Sequence, residues 1–235
     1  MKEPEGRVAL VTGASRGLGL AVVGRLAENG WRLLIDAREA QPLEAARRDL
    51  AKRTETTAIP GDISDRAHRS ELVGAVRRFG RLDALINNAS TLGPSPRPNL
   101  ADYDIADYRR VLEVNVVAPL ALTQDLLPLL RGVSGTVINV TSDAGREQYE
   151  GWGGYGSSKS ALDQITNILA AEETGLSVYS FDPGDMNTRM HQEAFPGEDI
   201  SDRPDPEESA SALLRLIAQR PPSGHYRASD LLASA

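Results

Sequence analysis

The chain has 235 residues, 40% of them hydrophobic and 25% charged, an average globular composition with length for one large domain. Its formal net charge of −7 disfavours nucleic acid, since gripping a phosphate backbone takes a basic face, and small molecules are the expected partners. Cysteine is absent, which excludes disulfides, thiolate catalysis and zinc–thiolate sites, and the three histidines, His68, His191 and His225, lack metal-ligand spacing, so no metal site is expected. No apolar run approaches the roughly 20 residues of a membrane helix. The opening MKEPEGR is too polar for a secretory signal and too acidic for a transit peptide, so the expectation is a cytoplasmic protein with no membrane partner.

Taken in order, short apolar runs alternate with longer helical patterns: RVALVT, then GLGLAVVGRLAENG, WRLLIDA, PLEAARRDLAKR and TTAIP. The rhythm continues through a helix in DRAHRSELVGAVRRFG, the strand LDALIN, a long helical region from about Asp104 to Leu130, and the strand GTVINVTS. A helix beginning near Tyr155, the strand LSVYSFDP, a helix from about Glu207 to Ala218 and a last strand at SGHYRA complete it. Near-continuous apolar strands are what a sheet covered by helices on both faces requires. The expected fold is a single α/β domain over 1–235, a doubly wound Rossmann fold with a mostly parallel seven-stranded sheet. Two long segments leave carboxyl ends of strands, where ligands bind in open α/β sheets: STLGPSPRPNLADYD, and GDMNTRMHQEAFPGEDISDRPDPE, whose stretch of about 184–206 is expected to close over a substrate.

Directly after the first strand comes TGASRGLG, with Gly13, Gly17 and Gly19. Glycines permit a tight turn and close backbone approach, and the free amides of the following helix attract a pyrophosphate. The spacing is neither GxGxxG nor GxxxxGK[ST], which argues against a P-loop nucleotidase. Further along, Tyr155 and Lys159 sit one helical turn apart, so both project from nearly the same face. On that stretch alone a catalytic acid and an ordinary solvated turn both remain open. A phenol ionises near pH 10 and needs a nearby cation to work as a proton shuttle at neutral pH, and Lys159 is placed to supply one. A serine-hydrolase reading fails, because no GxSxG elbow is present.

TGASRGLG, NNAS at Asn87–Ser90 and YGSSK at Tyr155–Lys159, in this order, resemble the short-chain dehydrogenase/reductase family. Asn115 lies 27 residues before Ser142, and Ser142 lies 13 before Tyr155, so Asn115, Ser142, Tyr155 and Lys159 match the family's catalytic tetrad. The likeness runs from Arg7 to about Thr188, where DPGDMNT resembles the family's Pro-Gly turn near the nicotinamide. It implies that Tyr155 exchanges a proton with a carbonyl or alcohol oxygen, that Ser142 donates to the same oxygen, and that Lys159 holds the nicotinamide ribose. Pro119 has no amide hydrogen, so the Asn115 carbonyl four residues earlier loses its helical partner. The resemblance implies that this carbonyl holds a water.

The cofactor contacts expected on the same basis are Gly13, Ser15, Arg16, Gly17, Leu18 and Gly19 from the first loop, Arg38, Asp62 and Ile63, Asn88 and Ala89 with Asn87 beside them, Tyr155 and Lys159, and Pro183, Gly184 and Thr188. Ser90 stands where the family most often has glycine, and Met186 stands where smaller residues are common. Tyr149, Trp152, Met186 and Phe195 suggest an aromatic or amphipathic substrate.

The resemblance implies that an acid selecting NAD(H) would fall eighteen positions after Gly19, at Ala37; Asp36 falls one short, and neighbouring strand residues point to opposite faces. Arg38 and Arg16 match the basic contacts to a 2′-phosphate, so NADP(H) is preferred and NAD(H) remains possible. The expected protein is therefore an NADP(H)-dependent carbonyl reductase or alcohol dehydrogenase and a homo-oligomer, tetramer or dimer, through apolar faces of VLEVNVVAPLALTQDLL and SSKSALDQITNILAA. The alternative is a dinucleotide-sensing regulator without turnover.

Overall fold

The computed structural model describes residues 6–233. The first five residues, on which the reading of the opening segment partly rests, and the last two of the DLLASA tail lie outside that range. Seven strands form one sheet in the order β3-β2-β1-β4-β5-β6-β7, and all six pairings are parallel. The strands are β1 Val8–Val11, β2 Arg32–Ala37, β3 Thr56–Pro60, β4 Ala84–Asn87, β5 Thr136–Val140, β6 Ser177–Asp182 and β7 Gly224–Arg227.

Parallel neighbours need crossovers, and the apolar periodicity supplies them as helices. These are α1 Gly17–Glu28, α2 Ala40–Leu50, α3 Arg66–Phe79, α4 Ile105–Leu112, α5 Ala118–Arg131, α6 Gly153–Glu172, α7 Arg189–Ala194, α8 Pro206–Gln219 and α9 Ala228–Ala233. Successive strand residues point to opposite faces, which divides the core in two. Ala9, Val11, Leu33 and Ile35 pack with α1, α2 and α8, whereas Val8, Leu10 and Leu34 pack with α3, α5 and α6. All four residues of β1 are buried, because helices cover both sides.

The strand order reverses between β1 and β4, so the turns leaving these two strands open a crevice at their carboxyl ends. Thr12 ties the turns together: its Oγ1 accepts from the amides of Asn88 and Ala89, each at 3.0 Å, while Asn88 Nδ2 donates to the carbonyls of Thr12 at 2.8 Å and Gly13 at 3.1 Å. Gly13 has φ +67°, and a Cβ there would lie 2.9 Å from the Ala89 Cα, so glycine is required on both grounds.

Three local features depart from the sequence expectation. The long helix expected from about Asp104 to Leu130 is broken by one π-helical turn at Glu113–Val117, where the Ala118 amide reaches back to the Glu113 carbonyl. Pro119, without an amide hydrogen, favours such slippage. The loop expected at about 184–206 contains α7, capped by Thr188, which accepts from the His191 amide at 3.2 Å; six residues are too few to leave a periodic signature. The tail after β7 folds as α9, whose Ala228 and Leu231 join the core.

Candidate active site

The π turn brings Asn115 to α6. Asn115 is buried, and both functions of its amide are used. Its Oδ1 accepts from Ser90 Oγ at 3.1 Å and the Thr91 amide at 2.9 Å, and its Nδ2 donates to the Thr91 carbonyl and to Ser158 Oγ, both at 2.9 Å. Asn115 thereby staples the loop after β4 onto α6 between Tyr155 and Lys159. Ser90, standing where the family most often has glycine, uses its added hydroxyl for this bond.

Tyr155 and Lys159 start α6 on one face, and the Lys159 Nζ lies 5.3 Å from the Tyr155 ring centroid. The lysine is 2% exposed and donates to the Val140 carbonyl at 2.8 Å. Burial lowers its pKa to about 8, against a smaller opposing pull from Asp163. Burial also pushes the Tyr155 phenol well above its ordinary range, more than hydrogen bonding to Ser142 and Ser90 can offset, and Asp182 and Asp143 add repulsion. The protein alone therefore keeps this phenol protonated and ready to donate. Ser142 follows β5 and starts a short 3₁₀ turn, Asp143–Gly145; its hydroxyl donates to Asp143 Oδ1 at 2.9 Å and accepts from the Ala144 amide at 3.2 Å.

Two cavities meet at Tyr155. The larger, about 650 Å³, runs from the glycine loop along the crevice; it is lined by Gly13, Ser15, Arg16, Gly17, Leu18, Gly19, Arg38, Asp62, Ile63, Asn88, Ala89, Tyr155, Lys159, Pro183 and Thr188, all expected cofactor contacts. The smaller, about 380 Å³, is lined by Ser142, Tyr149, Trp152, Tyr155, Met186 and Phe195, with Gly184 there rather than in the first. Asn87 is not brought to either: it is buried at the end of the central strand β4, donating to Asn139 at 2.8 Å.

The larger cavity fits a dinucleotide. The residue before α1, Arg16, makes no side-chain cap, so the first-turn amides keep their capacity for an anion. Gly17 has φ +52°, and a Cβ at Gly19 would lie 2.4 Å from the Gly13 carbonyl, so neither position accepts a side chain. The Gly13 amide, however, is already taken, donating to Asp36 Oδ1 at 2.9 Å.

Asp36 is 1% exposed, and its other oxygen is 3.0 Å from His68 Nε2. Burial raises its pKa although His68 and the Gly13 amide oppose the shift. It thus supports the glycine turn from below. Arg38, next past Ala37, is exposed beside the cavity. Arg16 is already paired, 2.7 Å from Glu39, and Arg189 of α7 stands 4.0 Å from the same carboxylate. Three arginines thus act on one glutamate in the lining of the larger cavity. Glu39 and Arg189 were missed because neither occupies a motif position.

Asp62 is held by Ser64, whose amide and hydroxyl both donate to it, and by Arg110. Thr188 caps α7 and faces both cavities. Asp143 and Asp182 line the smaller cavity and were not foreseen.

The family described as short chain dehydrogenase matches residues 7–199. The rhamnolipids biosynthesis 3-oxoacyl-[acyl-carrier-protein] reductase of Pseudomonas aeruginosa is 37% identical over 194 residues, covering 79% of this chain and 75% of that one. Sepiapterin reductase of Mus musculus is 33% identical over 199 residues, covering 79% and 76%. Among solved structures, an alcohol dehydrogenase from the archaeon Thermococcus sibiricus complexed with 5-hydroxy-NADP superposes with a TM-score of 0.86 at 26% identity, over 95% of this chain and 96% of that one.

Proposed function

The chain belongs to the short-chain dehydrogenase family of oxidoreductases, and we propose that it acts there as an NADP(H)-dependent reductase of a small carbonyl compound, running in reverse on the corresponding secondary alcohol. The observation that carries this is the position of Tyr155, whose phenol borders both the cavity floored by glycines and the one walled by aromatic rings. When bound, the nicotinamide supplies the hydride. Tyr155 gives its proton to the carbonyl oxygen as that oxygen gains charge, and recovers one from the alcohol in the opposite direction. Ser142 turns its hydroxyl from Asp143 toward the same oxygen and stabilises the developing charge. Lys159 lowers the cost of leaving Tyr155 ionised and donates to the ribose. Asn115 holds the loop and helix that present these groups.

Preference for NADP(H) is supported by Arg38, Arg16 and Arg189 gathered around Glu39, by the withdrawal of Asp36 into its pair with His68, and by the bound 5-hydroxy-NADP of the archaeal neighbour. The test is a panel of ketones, quinones and secondary alcohols with both cofactors, followed by nicotinamide absorbance. Oxidation of NADPH by at least one carbonyl compound is expected, and a panel without turnover would favour a dinucleotide sensor. Ile105 on α4, Val117 in the π turn and Ile168 on α6 are exposed apolar side chains, which supports a homo-oligomer pairing these helices. A monomer in light scattering would contradict that.

A further inference from the structure

The guanidinium of Arg97, in the lining of the larger cavity, has no hydrogen-bond or ion-pair partner among the described residues. Arg97 belongs to the segment between β4 and α4, and its guanidinium lies against two rings brought from elsewhere: 4.0 Å from the centroid of Trp152, just before α6, and 5.3 Å from that of Phe195, just after α7. Trp152 is itself 5.7 Å, ring to ring, from Tyr155. Among the described residues, Arg97 makes no hydrogen bond and no ion pair, and its Nη1 is sealed from solvent without an acceptor. Burial opposes its charge, and Glu198 acts on it only at a distance.

Such a group is costly unless something completes it, because a half-buried guanidinium gives up hydration for donors that remain unused. Stacking on Trp152 and Phe195 compensates part of this and fixes the plane of the fork. It supplies no acceptor. The other arginines of this cavity have assignments: Arg16 and Arg189 pair with Glu39 and Glu193, and Arg38 stands at the far edge where a 2′-phosphate would sit. Arg97 lines the larger cavity, whereas Asp143 and Asp182 line the smaller one, which meets it at Tyr155, and both act on the Tyr155 phenol. A ligand carrying a negative group is therefore repelled on that side and attracted on this one, which fixes one orientation of its carbonyl toward Tyr155.

We propose that Arg97 is the receptor for a carboxylate on the substrate, making the preferred substrates keto acids whose hydrocarbon or aromatic frame lies among Trp152, Phe195 and Met186. This rests on the reductase reading, and the experiment separates the two. Phenylglyoxylate and its uncharged methyl ester are titrated into the NADP⁺ complex, where no hydride is available, with binding read by calorimetry for wild type, Arg97→Gln and Arg97→Lys.

The acid should bind wild type about tenfold or more tightly than the ester. Arg97→Gln should erase that advantage, Arg97→Lys should restore part of it, and NADP⁺ affinity should be equal in all three. Equal binding of acid and ester by wild type, or an acid advantage surviving Arg97→Gln, would overturn the assignment. So would an equal loss for acid, ester and NADP⁺, which would make Arg97 a structural clamp. With NADPH in place of NADP⁺, tight binding of the acid without turnover of any carbonyl compound would remove the reductase reading and leave the anion site standing.

Discussion

Replacing Lys159 by methionine should make the empty protein more stable at neutral pH while disabling it. The amine is 2% exposed and titrates near pH 8 in the folded chain, against about 10.4 unfolded. Folding thus disfavours the ammonium by roughly two pKa units, on the order of 3 kcal/mol at 1.36 kcal/mol per unit. Between about pH 8 and pH 10 the unfolded chain holds more protons at this position than the native one, so stability rises with pH there; below about pH 8 both states are charged and the penalty is fully present. Methionine removes the charge and leaves the Val140 carbonyl without its donor, a loss of about 1–3 kcal/mol that offsets much of the gain at neutral pH and stands alone above about pH 10, where no gain is left.

The difference between the two proteins is the sensitive quantity. Urea unfolding at pH 7 and at pH 10 should show wild type gaining on the variant by on the order of 2–3 kcal/mol as the native amine loses its proton. The variant should also show weaker NADPH binding and little turnover. Parallel stability curves for the two proteins would refute a buried, destabilised ammonium at this position.

Arg38→Ala should lower kcat/KM for NADPH about tenfold, the low end of a charge-assisted phosphate contact because the side chain is exposed, and leave kcat/KM for NADH nearly unchanged. Equal losses with both cofactors would show that Arg38 does not read the 2′-phosphate. Asn115→Ala should cost roughly 2–4 kcal/mol in chemical denaturation, since four hydrogen bonds joining the Ser90–Thr91 segment to α6 disappear together. It should lower kcat more than it raises KM for NADPH. A fully stable variant would mean that the loop and α6 are held by other contacts.

Much of the fold was legible because its signals are local and repeated: apolar runs of strand length, periodic helices between them, and glycines after the first strand. Asn115, Ser142, Tyr155 and Lys159 were singled out because their spacing resembles the family's tetrad, and the glycine loop by its place between β1 and α1. The features that escaped depend on distant residues meeting. Asp36 could be judged misplaced for a ribose by counting along β2, but its burial against His68 of α3 and the Gly13 amide is a tertiary fact. The bond made by Ser90 was not legible because its partner, Asn115, lies 25 residues on, across a π turn that no periodicity announces. Glu39 was overlooked for a similar reason: as a residue just past β2 it has no motif, and it matters only once Arg16 and Arg189 close on it. Helix α7, at six residues, falls below the length at which an apolar stripe can be read.

The central claim, that this site transfers hydride with Tyr155 as the proton donor, is tested most directly by single-turnover oxidation of bound NADPH with a carbonyl compound that wild type reduces, compared between wild type and Tyr155→Phe. Phenylalanine keeps the ring contact with Trp152 and removes only the hydroxyl. The account predicts NADPH affinity close to wild type and a hydride-transfer rate lower by about 10²-fold or more, the range for loss of a positioned general acid. A variant that oxidises NADPH at close to the wild-type rate would contradict it.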